Sequence, residues 1–194
     1  MRIALARTVS ILGHPLLLLP AASLALAAAG GAPRTQLWLL GSVLGALAIL
    51  IQAWSWRQVR RGRWQHVDAS QRGERKGLNR FLLGLLLLTT LGVSLVHPLP
   101  ALAWGLGCAA GMVAASMVLA HWLKLSLHVA FAVFSAALLA GLGPVALAAA
   151  SALAVAVAWS RWVLGRHRPR ELLAGAAIGA LAAGVFWSQA PGGA

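Results

Sequence analysis

The sequence predicts an all-α protein: a polytopic transmembrane helical bundle of six or seven spans, forming a single membrane domain over residues 1–194. Three observations carry this reading. The chain is 60% hydrophobic, only 10% charged and has a mean hydropathy of +0.83, which leaves too little polar surface for a water-soluble domain of this length. Its apolar residues come in long runs, several of them near the ~20 residues needed to cross a hydrocarbon core. The runs do not alternate polar with apolar as barrel strands would, and isolated strands cannot satisfy their backbone in lipid, so helix is the element that fits. A water-soluble helical bundle is the competing reading, and the run lengths argue against it.

The first run, at about residues 9–29, follows Arg2 and Arg7 as the apolar stretch of a signal peptide would. No cleavage site follows and further runs do, so it is expected to stay as a first helix. Gly30-Gly31-Ala32-Pro33 then turns the chain into a run at 37–55. The stretch 55–80 is the only polar segment of any length, and with Trp54, Trp56 and Trp64 it is expected at the membrane interface. Runs at 81–96 and 100–120 are divided by His97-Pro98-Leu99-Pro100, and runs at 125–141 and 144–160 by Gly141-Leu142-Gly143-Pro144. A run at 171–188 completes seven candidates, or six if one is re-entrant.

Because two crossings return a chain to the same surface, the N-terminus and the segments 56–80, 121–128 and 161–170 share one face. Nearly every charge lies there, and Arg34 is the only formal side-chain charge on the other. Positive residues mark the cytoplasmic side, so that face is expected in the cytoplasm, of a bacterial inner membrane. The net charge of +13 sits in short segments between apolar runs, which points to anionic head groups and phosphate rather than nucleic acid. Cys108 is the single cysteine and lies inside an apolar run, so neither a disulfide framework nor a cysteine metal site is available. The acids are three, Asp68, Glu74 and Glu171, too few and too scattered for a dinuclear metal site, and no metal or other cofactor is expected.

Three stretches can carry chemistry. In Ser160-Arg161-Trp162-Val163-Leu164-Gly165-Arg166-His167-Arg168-Pro169-Arg170-Glu171, an arginine precedes a histidine by six residues and an acid follows it by four. With a helix starting near Pro169, Glu171 stands in its first turn and can accept from the His167 imidazole, fixing its tautomer and leaving the other nitrogen to attack phosphorus. Arg161 offers a planar, permanent charge for phosphate oxygens. In Lys124-Leu125-Ser126-Leu127-His128, His128 can protonate a leaving oxygen, and Ser126 can donate to phosphate. In Asp68-Ala69-Ser70-Gln71-Arg72-Gly73-Glu74-Arg75-Lys76, Arg72 and Arg75 project from one helical face and can join Arg161 around an anion. Each stretch alone also reads as a basic anchor at a membrane end. His14, His66, His97 and His121 are taken as structural or interfacial.

Together these stretches resemble the type 2 phosphatidic acid phosphatase superfamily, membrane relatives of the vanadium haloperoxidases. Its third motif, Ser-Arg, five residues, His, three residues, Asp, is matched in spacing by SRWVLGRHRPRE, with Glu171 in place of the aspartate. Its second motif, Pro-Ser-Gly-His, keeps its serine and histidine in LSLH. The first motif, Lys, six residues, Arg-Pro, falls on DASQRGERK, where Arg75 is the arginine, Asp68 occupies the lysine position and Lys76 the proline position. The resemblance runs from about Asp68 to Glu171 and implies a metal-independent phosphatase working through a phosphohistidine. His167 would be the nucleophile, Glu171 its orienting acid and His128 the proton donor. Arg161, Arg75 and Ser126 would bind the phosphate, with Arg72, Lys76 or Lys124 replacing the missing lysine. The expected substrate is a lipid-linked phosphate monoester or diphosphate among membrane lipids. The alternative is a non-catalytic scaffold or transporter that retains the fold.

Overall fold

The computed structural model of the chain describes residues 1–65, 67, 69, 71–96 and 99–189, without the side chains of Arg72 and Val96. The readings that fell on His66, Asp68 and His97, and on the guanidinium of Arg72, lie outside the described residues. Every apolar run forms helix, and among the described residues there is no strand. The helices are α1 (Arg2–Leu12), α2 (Pro15–Ala29), α3 (Arg34–Arg60), α4 (Arg72–Val96), α5 (Pro100–Val118), α6 (Leu127–Leu138), α7 (Pro144–Val163) and α8 (Pro169–Gln189). Single 3₁₀ turns extend α5 over Leu119–His121 and α6 over Leu139–Leu142.

Proline starts α2, α5, α7 and α8, where its missing N–H costs nothing and its fixed φ suits the first helical residue. Five helices are long and apolar enough to cross a membrane, and six spans result if α1 and α2, bent by 49° at Gly13-His14, are one broken span. The chain is thus a helical transmembrane bundle, with its span number at or just below the expected six or seven. The difference lies in α6. Even with its 3₁₀ extension to Leu142 it is only ~24 Å long at ~1.5 Å per residue, short of the ~30 Å hydrocarbon layer.

Helix α6 is instead the centre of the bundle. It packs on α2, α5, α7 and α8, and eight of its twelve residues are buried, Phe134 completely. Against α8 the approach is especially close, because Gly175 and Gly179 present bare backbone to it. A Cβ on Gly175 would stand 2.5 Å from the Ser126 carbonyl oxygen, and one on Gly179 would overlap the Ala130 carbonyl. Small residues spaced four apart are how membrane helices gain contact when no hydrophobic drive separates them from lipid.

The polar stretch 55–80 is partly helical. Helix α3 continues to Arg60 and α4 begins at Arg72, so only the link between them is irregular. Glu74, buried in the first turn of α4, holds that link by accepting from the backbone N–H of Gln71 at 3.0 Å and of Gln65 at 2.8 Å. Trp54 stacks on Phe81 at 4.4 Å and meets Trp64 edge to face at 5.1 Å, which ties the end of α3 to α4. Exposed Trp38 and Trp56 on α3 are ~27 Å apart at the helical rise, as are Trp104 and Trp122 on and just beyond α5, a separation that suits the two interfaces of a bilayer.

Candidate active site

Local geometry explains the spacing of the arginine, histidine and acid around the α7–α8 turn. Helix α7 ends with Gly165 at φ 65°, a left-handed residue that only glycine adopts without strain. Its N–H reaches the Trp162 carbonyl at 2.9 Å and the Arg166 N–H reaches the Arg161 carbonyl at 3.0 Å, the paired bonds of a Schellman ending. This folds the chain back, so that the His167 N–H also approaches the Arg161 carbonyl, at 3.3 Å. Helix α8 then begins at Pro169 with Glu171 as its third residue. There its Oε2 accepts from the Arg168 N–H at 3.0 Å, the returning half of a capping box.

The same Oε2 lies 3.2 Å from His167 Nδ1, and the Lys124 carbonyl oxygen lies 3.1 Å from that nitrogen. Two acceptors facing one ring nitrogen require it to carry the proton, so the lone pair of the neutral ring belongs to Nε2. Lys124 closes the loop in the other direction, its Nζ donating to the Arg166 carbonyl at 2.8 Å. The Ser126 N–H donates to the Glu171 carbonyl at 3.2 Å. The loop before α6 and the turn before α8 are therefore laced together by side chains and backbone from both.

Burial pushes the His167 imidazole down to about 4, with the cations of Lys124 and Arg161 acting in the same direction; the Lys124 carbonyl and Glu171 oppose them. Lys124 is itself lowered by burial and by the nearby charge of Arg75, with Arg161 and Arg166 adding to it and Glu171 opposing. A site that crowds cations around a neutral imidazole is arranged for an anion.

One cavity of about 790 Å³ receives these groups. His128, His167, Glu171, Arg161, Arg75, Lys76 and Lys124 all line it, so the predicted members from three separate segments meet in one place. Arg161 is 8% exposed and its Nη1 donates to Ser10 Oγ at 2.9 Å. From the polar end the cavity continues between the helices, walled by Leu44, Leu47 and Ile51 of α3, Leu82 and Leu86 of α4, and Leu106 of α5.

Ser126 sits apart from the other expected site residues. Its side chain is wholly buried, is not part of the cavity wall, and among the described residues its Oγ has no hydrogen-bond partner. The cause is the close approach of α8 at Gly175, which covers this residue and uses its backbone instead. Two further groups were not anticipated. His14 lines the cavity and sets its ring against His128, centroids 5.1 Å apart and planes at 90°, and Ser10 holds Arg161. The signal for His14 was its position beside Pro15 in a break of the first run. For Ser10, one small residue inside an apolar helix, there was none. Among the described residues no three His, Cys, Asp or Glu side chains gather as metal ligands. Compared with family models, with curated proteins and with solved structures, the chain matches none.

Proposed function

We propose that the chain is a metal-independent phosphatase of lipid-linked phosphates, related to the type 2 phosphatidic acid phosphatases and working through a phosphohistidine. The observation that carries this is the proton arrangement at His167. Its Nδ1 is committed to Glu171 and the Lys124 carbonyl, which leaves Nε2 as a nucleophile in a cavity lined by Arg161, Arg75 and Lys124. The substrate phosphate sits among these cations and its tail lies between the apolar walls of α3, α4 and α5.

The Nε2 lone pair attacks phosphorus and the bond from phosphorus to the lipid oxygen breaks. Burial and the Arg161 charge hold the His128 ring neutral before substrate binds, and the bound phosphate anion favours its protonation; the leaving oxygen takes that proton, and the lipid alcohol or lipid phosphate departs. Water then attacks the phosphohistidine, gives a proton to His128, and inorganic phosphate leaves with His167 restored. Arg161 and Arg75 stabilise the charge spread over the equatorial oxygens in both steps, while Glu171 stabilises the cationic His167 ring. Suitable substrates are phosphatidic acid, phosphatidylglycerol phosphate, prenyl diphosphates and prenyl-linked sugar phosphates. The bias of positive charge favours a site at the cytoplasmic face of a bacterial inner membrane, where such precursors are made.

The test is phosphate release from a panel of these lipids by detergent-solubilised protein in EDTA. His167→Ala is expected to abolish release, and phosphate is expected on His167 in the wild-type chain quenched during turnover. Turnover retained by His167→Ala overturns the mechanism. Hydrolysis of no lipid in the panel favours the scaffold.

A further inference from the structure

The broken first span is built into the site. At Gly13-His14 the chain bends by 49° between α1 and α2, and this corner touches the catalytic groups. Gly13 lies so close to α7 that a Cβ on it would overlap the Val157 side chain. Buried Ser10 accepts from Arg161 Nη1 at 2.9 Å, across 151 residues of sequence. The His14 ring stands edge to face with that of His128 at 5.1 Å.

His14 is itself fixed in orientation. It is the N-cap of α2, and its Nδ1 accepts from the Leu16 N–H at 3.2 Å, with Pro15 starting the helix. The proton of the neutral ring therefore belongs to Nε2. A ring held in this way by a helix start restrains the ring it touches, because an imidazole otherwise turns freely about its last torsion.

We infer that the α1–α2 corner supplies two positioning residues, His14 for the ring of His128 and Ser10 for the guanidinium of Arg161. The inference rests on the phosphatase reading, which gives those two groups their tasks. It separates their contributions: His14 acts on proton delivery to the leaving oxygen, and Ser10 on the grip on phosphate.

The full chain in detergent is assayed with dodecyl phosphate, whose alkoxide needs a proton to depart, and p-nitrophenyl phosphate, whose phenolate does not. His14→Asn keeps an oxygen to accept from the Leu16 N–H and removes the ring. It is expected to lower the ratio of the dodecyl to the p-nitrophenyl kcat/KM about tenfold, a share of the ~10²–10⁴-fold that general acid catalysis supplies, because kcat/KM reads the step that forms the phosphohistidine and not the dephosphorylation the two substrates share. Ser10→Ala is expected to leave that ratio in place and to raise the inhibition constant for inorganic phosphate about tenfold. Histidine-selective ¹⁵N NMR reads the rings without turnover, and the His128 signals are expected to move in His14→Asn and not in Ser10→Ala. An equal fall in kcat/KM for both substrates in His14→Asn, or superimposable His128 signals, overturns the inference. Failure of the phosphatase reading shows itself separately, as turnover surviving His167→Ala.

Discussion

A single carboxylate oxygen connects the helix start to the chemistry, because Glu171 Oε2 meets both the Arg168 N–H and His167 Nδ1. Glu171→Gln separates these duties. Glutamine still serves as the third residue of a capping box but cannot neutralise an imidazolium, so the fold is expected to survive while kcat falls by about 10²-fold or more. Circular dichroism and phosphate release on one preparation read the two effects. The depressed His167 gives a second test. Its nucleophilic form persists as pH falls until about 4, so the acid limb of kcat/KM belongs near there rather than near the ordinary histidine range. Lys124→Met removes a neighbouring cation and is expected to move that limb to higher pH. Stability follows the same sign: the folded state holds this ring neutral, so its contribution is full above the unfolded-state value of ~6.5 and is lost as pH falls toward about 4. This residue-scale geometry was the most legible in the sequence. The acid four residues after His167, and Gly165 and Pro169 around it, are local features of one turn. The burial of Ser126 was not legible, because motif position does not say which side chain a neighbouring helix will cover.

Between elements, the site depends on how close α8 comes to α6. Gly175 and Gly179 bring the backbone that carries Glu171 against the backbone that carries Lys124 and His128. Gly175→Val places side-chain atoms against the fixed Ser126 carbonyl and is expected to cost about 1–3 kcal/mol and to separate His167 from Lys124. Gly92→Ala on α4 meets no neighbouring atom within 4 Å and replaces a helix-interior glycine with a better helix former, so it is expected to hold or raise the melting temperature. Thermal melts in one detergent compare the two directly, and an unaffected Gly175→Val contradicts the packing argument. Helix positions were readable from the apolar runs and their Gly and Pro breaks, since those signals act within a few residues. The shortness of α6 and the broken first span were not, because each depends on which helices surround it. His14 belongs here too: a histidine before a proline marks a helix start, but only packing brings it to His128.

At the scale of the molecule, the charged residues of three chain segments converge on one cavity beside the His14 corner, while the apolar remainder faces lipid or lines a shaft below the cations. Leu86 lies ~16 Å along α4 from Arg75 at the helical rise, about half of the ~30 Å hydrocarbon layer, so the shaft has the depth of a lipid tail. Leu86→Trp is expected to slow hydrolysis of long-chain lipid phosphates about tenfold or more while sparing p-nitrophenyl phosphate. Equal loss on both substrates contradicts a tail site there. That the segments 121–128 and 161–170 meet was legible from the basic residues placed at the ends of their apolar runs. The parts played by Ser10 and His14 were not, because they meet Arg161 and His128 only through tertiary packing. Phosphate passing through a protein nitrogen is the central step proposed, and the stereochemistry at phosphorus tests it directly. With a phosphorothioate substrate carrying two oxygen isotopes and hydrolysed in water of the third, two successive in-line displacements, first by His167 and then by water, predict retention of configuration in the thiophosphate product. Inversion means that water attacks the lipid phosphate itself, and it contradicts the account.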